Sequence, residues 1–180
     1  MSDSDDTFVP FTIRGIGLDP ESKTPVLLLQ DHAARLLLPI WIGPFEAGAI
    51  ANALEGRAPP RPMTHDLLVR LMTALDAKVT GVDVRSLEEG TFYANLHLET
   101  TAGDEVIIDC RPSDAIALAV RVDAPVRVEA SVLRVAHPLP KEEGEAEGNM
   151  SVAADDEDAR ARLSEQLADM APDDFGKYET

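Results

Sequence analysis

The chain has 180 residues, with 16 Lys+Arg against 33 Asp+Glu and a formal net charge of −17. That length suits one domain of ordinary size plus an appendage. One cysteine, Cys110, excludes a disulfide framework within the chain, and the charge argues against a generally basic nucleic-acid binder. No apolar run approaches the ~20 residues of a membrane span. The start, MSDSDD, has neither the basic nor the apolar region of a signal peptide. A soluble, cytoplasmic protein with no membrane partner is the expectation.

The charge divides unevenly. Up to His137 there are 12 basic and 20 acidic residues, a net of −8; the remaining 43 residues hold 4 basic and 13 acidic, a net of −9. Met1–Asp6 is expected to be a disordered start and Thr7–His137 the folded domain. Residues 138–180 read as an acidic linker and tail, opening with PLPKEEGEAEGNM. Within the tail, Asp155–Met170 is a candidate short helix with a thin apolar stripe.

In chain order, Thr7–Leu18 alternates as a strand, with Phe8, Phe11, Ile13 and Ile16 apolar. Pro25–Gln30 and Arg35–Ile42 are dense aliphatic runs separated by DHAA, which predicts a hairpin of well-covered strands. After Gly43-Pro44, Phe45–Leu54 carries Ala47, Ile50, Ala51 and Leu54 at helical spacing. A second helix is predicted over Thr64–Leu75, with Leu67, Leu68, Leu71, Met72 and Leu75 on one face. Three strands follow, Lys78–Arg85, Thr91–Glu99 and Glu105–Cys110, separated by turn signals at Glu89-Gly90 and Ala102-Gly103-Asp104. A third helix, Ser113–Val120, precedes a last strand, Pro125–Val128. Strands in runs with helices between them give an α+β class, with a mixed, largely antiparallel sheet and about three helices.

One strand-to-helix junction recurs. In IWIGPFEAGAIANAL and VIIDCRPSDAIALAV, a buried strand leads to Pro44-Phe45-Glu46-Ala47 and to Pro112-Ser113-Asp114-Ala115. The central helix starts similarly, at Pro62-Met63-Thr64-His65-Asp66. Capping alone explains proline and a carboxylate in a first turn; Thr64 is a candidate N-cap for the second helix, and Ser113 or the neighbourhood of Arg111 for the third. If the three starts converge, Glu46, Asp66 and Asp114, with His65, have the donor chemistry to hold Mg²⁺ or Mn²⁺. Arg61 and Arg111 each precede a proline; either a phosphate or a carboxylate suits such a guanidinium. His97 lies inside a strand pattern, and His32 and His137 in turn-like segments without a motif. Cys110 ends an apolar strand, where a buried inert thiol is expected. No motif for an organic cofactor is present.

LPIWIGPFEAGAIANAL, RPMTHDLLVRLM, LEEGTFYANLHL and DCRPSDAIALAVR resemble, in order, the signature segments of the bifunctional nuclease domain family. The resemblance runs from about Thr12 to about Val135. Its matching positions are Gly43, Glu46, Arg61, Pro62, Thr64, His65, Asp66, Asp109, Arg111, Pro112, Ser113 and Asp114. It implies an α+β domain that self-associates, a dimer being favoured, with activity on DNA and RNA. Catalytic roles do not come with it; residue chemistry suggests Glu46, Asp66 and Asp114 for metal, His65 for proton transfer, and Arg61 or Arg111 for the scissile phosphate. A local patch of Arg57, Arg61 and Arg111 would offset the acidic domain. The alternative is a non-enzymatic oligomeric regulatory or interaction module with an acidic tail; a small-molecule enzyme has less in its favour.

Overall fold

A computed structural model describes residues 8–33 and 35–138. The expected disordered start, nearly all of the acidic tail, and the tail helix lie outside those residues. Eight strands form one sheet: β1 (Phe8–Leu18), β2 (Pro25–Asp31), β3 (Leu36–Trp41), β4 (Ala77–Glu88), β5 (Thr91–Thr100), β6 (Glu105–Cys110), β7 (Val126–Glu129) and β8 (His137–Pro138). Their order is β6-β5-β4-β7-β1-β2-β3-β8. Every neighbouring pair is antiparallel except β4 and β7, which run parallel. The α+β class with a mixed, largely antiparallel sheet is therefore observed. Among the described residues three helices complete it, α1 (Pro44–Leu54), α2 (Thr64–Ala74) and α3 (Pro112–Val122), with a 3₁₀ turn at Val132–Val135.

Local chemistry accounts for the hairpins. Glu89 and Gly90 both adopt positive φ, 48° and 82°, which suits a two-residue connection between twisted antiparallel strands. Between β2 and β3, buried Asp31 accepts the backbone N–H groups of Arg35 and Leu36 at 2.7 and 2.8 Å. Asp19 closes the loop after β1. Burial alone would raise its carboxyl pKa, but hydrogen bonds from Ser22, Trp41 and the Glu21 backbone hold it below the ordinary value.

The main core lies between one sheet face and the helices. Leu27, Leu29, Leu38, Ile40, Val82 and Val84 meet Ile50 of α1 and Ala115, Ile116 and Ala119 of α3. Helix α3 is the central helix, packed against both α1 and α2. Its alternating alanines permit that close approach, and every position from Pro112 to Ala119 except Asp114 is buried. A smaller cluster of Val26, Leu28 and Leu37, with Trp41 and Val135, covers the second face of the β2–β3 hairpin. That explains why these two strands are aliphatic on both faces.

Two apolar surfaces lie open among the described residues. The leucine stripe of α2 is not core in the described residues: Leu67, Leu68, Leu71 and Leu75 are exposed, Leu75 by 78%. Only Val69 and Met72 of that helix pack on the core, while His65 is its buried residue. Apolar periodicity marks a face that avoids water, not the partner that covers it. The same holds for β6, an edge strand whose Val106, Ile107 and Ile108 are all exposed. Away from the helices, a polar ladder crosses four strands: Glu105 to His97 at 3.0 Å, His97 to Asp83 at 2.8 Å, and Asp83 to Arg127 at 2.7 Å.

Ile116 is fully buried at the centre of the main core. Ile116→Ala should destabilise the protein by about 2–5 kcal/mol in urea unfolding; a loss below about 0.5 kcal/mol would place Ile116 outside the core.

Candidate functional site

All three helices present a carboxylate at the same place in their first turn. The N-caps are Gly43, Met63 and Arg111, so Glu46, Asp66 and Asp114 each stand three residues inside. Thr64 and Ser113 are thus the first and second helical residues, not the caps. Proline occupies the first position of α1 and α3, where its missing N–H leaves nothing unsatisfied. The capping expectation accounts for Asp66 directly: its Oδ2 accepts the Met63 backbone N–H at 2.8 Å.

Two of the starts converge on Arg111. Its Nε donates to Asp114 Oδ2 at 2.7 Å and its Nη2 to Asp114 Oδ1 at 3.1 Å. The same Nη2 lies 3.0 Å from Glu46 Oε1. Asp114 also meets His65, whose Nε2 is 3.3 Å from Oδ1. The result is a chain Glu46–Arg111–Asp114–His65 that joins α1, α3 and α2. Arg111 is the accessible member, its side chain 57% exposed, whereas His65 is 11% exposed. Hydrogen bonding to Asp114, with attraction to Asp114 and Glu46, raises the Arg111 pKa against some desolvation.

Asp66 belongs to a second link. Its Oδ1 accepts from Arg121 Nε at 2.6 Å, and Arg121 Nη1 donates to the Ala117 carbonyl at 2.8 Å. The Arg121 hydrogen bond, then the Met63 N–H, holds the Asp66 carboxyl below its ordinary value of 3.8. Arg121 was not among the residues expected from sequence. It stands two helical turns beyond Asp114, on the same side of α3, and that spacing within an apolar run was the available signal.

The expected three-carboxylate metal site does not form in this arrangement. Asp66 is committed to Arg121, and a guanidinium lies between Glu46 and Asp114. Among the described residues, no group of three or more His, Cys, Asp or Glu side chains is placed to hold a metal ion. The expected arginine patch is also largely neutralised: Arg57 pairs with Glu55 at 2.7 Å and Arg111 with two carboxylates. Arg61 is exposed and makes no ion pair among the described residues. Asp109 pairs with Arg85 at 2.9 Å and lies outside the chain of contacts. Cys110 is half-buried. Desolvation first, then the charges of Asp114 and Asp109, push its thiol up to about 11.

An α+β domain with an acid–arginine–histidine cluster at its helix starts is thus defined by fold and site together. The bifunctional nuclease domain model matches residues 26–139, a span that contains every member of the cluster. The chain belongs to the bifunctional nuclease domain family. It is 40% identical over 163 residues to an uncharacterized protein of Mycobacterium tuberculosis H37Rv, covering 91% of this chain and 95% of that protein. It is also similar to Bifunctional nuclease 1 of Oryza sativa subsp. japonica, 26% identical over 124 residues, covering 65% of this chain and 38% of the relative. Bifunctional nuclease 2 of Arabidopsis thaliana is 28% identical over 105 residues, 57% of this chain and 32% of the relative. The match therefore spans only about a third of those plant proteins. No helix among the described residues is long and apolar enough to cross a membrane.

Asp66→Asn should cost about 1.5–3 kcal/mol near neutral pH, because it weakens a charge-assisted hydrogen bond to a nearly buried arginine. The folded pKa of Asp66 lies below its unfolded value, so this stabilisation is complete above pH 3.8. It is lost as pH falls through the lower folded value. Wild type and variant should accordingly converge in stability on acidification, as denaturant titrations at several pH values would show. Cys110, held mostly as thiol, should react with an alkylating reagent at pH 7.5 much more slowly in native than in urea-unfolded protein. Equal rates would contradict its burial.

Proposed function

We propose that this chain hydrolyses phosphodiester bonds in DNA or RNA, with the reaction at the Glu46–Arg111–Asp114–His65 cluster. The observation that carries this reading is Arg111: an exposed, permanently charged guanidinium held in position by Glu46 and Asp114 within the family-matched region. A phosphate is the natural exchange partner for a guanidinium already gripped by carboxylates, since both present paired oxygens to its N–H fork. On substrate binding, Arg111 turns its donors to a phosphate oxygen and neutralises charge developing at phosphorus. That releases Asp114, which His65 continues to hold. The freed carboxylate takes a proton from the attacking water as the water oxygen bonds to phosphorus. The bond to the leaving oxygen breaks, and solvent returns a proton to it. Asp66 acts at a distance, fixing the start of α2 and hence His65.

The residues as placed do not fit a metal held by three carboxylates, so no step passes through Mg²⁺ or Mn²⁺; dependence on either ion remains a proposal for assay. Supplementing reactions with each ion or with EDTA measures it. Self-association belongs to the same reading. A dimer would cover the exposed leucines of α2, and β6, at the edge of the sheet that the described residues form, offers a second strand a place to pair. Leu71→Ser with Leu75→Ser should then lower the mass seen by light scattering, whereas an unchanged oligomeric mass would remove α2 from the interface. A cytoplasmic location accords with the reducing conditions that one half-buried thiol tolerates.

Purified protein should cleave a labelled single-stranded oligonucleotide. Arg111→Ala and Asp114→Asn should each reduce kcat/KM by about 100-fold or more, with unfolding midpoints showing that both variants remain folded. Cleavage equal to wild type in both would identify a contaminating nuclease. Tight binding of partners without any cleavage by wild type would support the non-enzymatic interaction module instead.

A further inference from the structure

Gly43 has no conformational reason to be glycine. As the N-cap of α1 it adopts φ −69° and ψ 155°, extended backbone open to any residue. Its side of the helix start is nevertheless occupied. A Cβ built there would overlap Glu46 Oε2 and stand 3.2 Å from the Glu46 carboxyl carbon and 3.7 Å from Oε1. The three nearest atoms it would meet all belong to that one carboxylate. The carboxylate thus occupies the space that a side chain at position 43 would fill. From there its Oε1 reaches Arg111 at 3.0 Å.

We propose that Gly43 is a positioning residue: its missing Cβ seats the Glu46 carboxylate, and that carboxylate in turn aims Arg111 at the substrate phosphate. The last step rests on the phosphodiesterase reading; the seating of Glu46 and Arg111 does not. Gly43 acts through Glu46 and touches no reacting atom. Nearby Gly48, inside the same helix, supplies the control, because a Cβ there would meet nothing within 4 Å.

The test compares Gly43→Ala, Gly48→Ala and Glu46→Gln by ¹⁵N NMR of the Arg111 Nη–Hη groups, which include the one facing Glu46, in the full-length protein. Gly43→Ala forces aside only the end of a flexible side chain, so it should fold. Its Arg111 Nη signal should move, and its Hη exchange with water should accelerate, toward the values of Glu46→Gln. Gly48→Ala should retain the wild-type signal. Cleavage of a single-stranded oligonucleotide by Gly43→Ala should fall to the level of Glu46→Gln, through kcat more than KM. An Arg111 signal in Gly43→Ala identical to wild type would overturn the proposal. If wild type cleaves nothing, the phosphodiesterase reading fails while the NMR comparison still decides the seating of Glu46. If Gly43→Ala does not fold, the double variant Gly43→Ala with Glu46→Ala removes the overlap and should fold. Failure of that double variant would make the glycine a backbone requirement and overturn the proposal equally.

Discussion

Arg111 is the point at which fold and site become one. It caps α3, forms two hydrogen bonds to Asp114 on its own helix and reaches Glu46 at the start of α1. Such a three-way contact could be read as a stabilising staple, but its magnitude argues otherwise. With the arginine side chain 57% exposed, water and salt screen the attraction, and pairs of this kind contribute about 0–1 kcal/mol. The Asp66–Arg121 pair is different, its partners 26% and 12% exposed. It carries the structural load of joining α2 to α3, and leaves Arg111 and its carboxylates available for chemistry.

Much of this was visible in the residues, and what was hidden has identifiable causes. Strand and helix positions followed from alternation, from Glu89-Gly90 and from the proline that opens α1 and α3, because those are local signals. The repeated proline–residue–carboxylate pattern singled out Glu46 and Asp114, which both meet Arg111. Whether helix starts meet is a matter of which strands lie side by side, and sequence spacing does not encode the parallel β4–β7 pairing that sets the sheet order. The sequence placed Asp66 with its two counterparts, while Arg121, two turns along α3, takes it instead. The exposed stripe of α2 illustrates a further limit: Leu67, Leu71 and Leu75 have the spacing of a buried face whether the cover is this chain or another molecule.

The acidic composition also takes a more definite form. About half of the −17 charge lies beyond His137, and within the domain Arg57, Arg85, Arg111, Arg121 and Arg127 are each paired with a carboxylate. The domain is therefore no basic groove that captures nucleic acid by bulk charge. Recognition in the proposed reaction rests on exchange at one guanidinium, with phosphate taking the place of carboxylate. Such an exchange favours local selection of a phosphate over long-range attraction. It also explains how an acidic domain and a phosphodiester substrate are compatible.

That exchange is directly observable. Titrating the protein with a cleavage-resistant phosphorothioate oligonucleotide, while following the Arg111 Nε–Hε resonance by ¹⁵N NMR, reports whether the guanidinium changes partners. The account predicts a saturable shift of this resonance, accompanied by a shift of the His65 ring signals as Asp114 is released. An Arg111 resonance that stays fixed while the oligonucleotide binds elsewhere on the protein would contradict it.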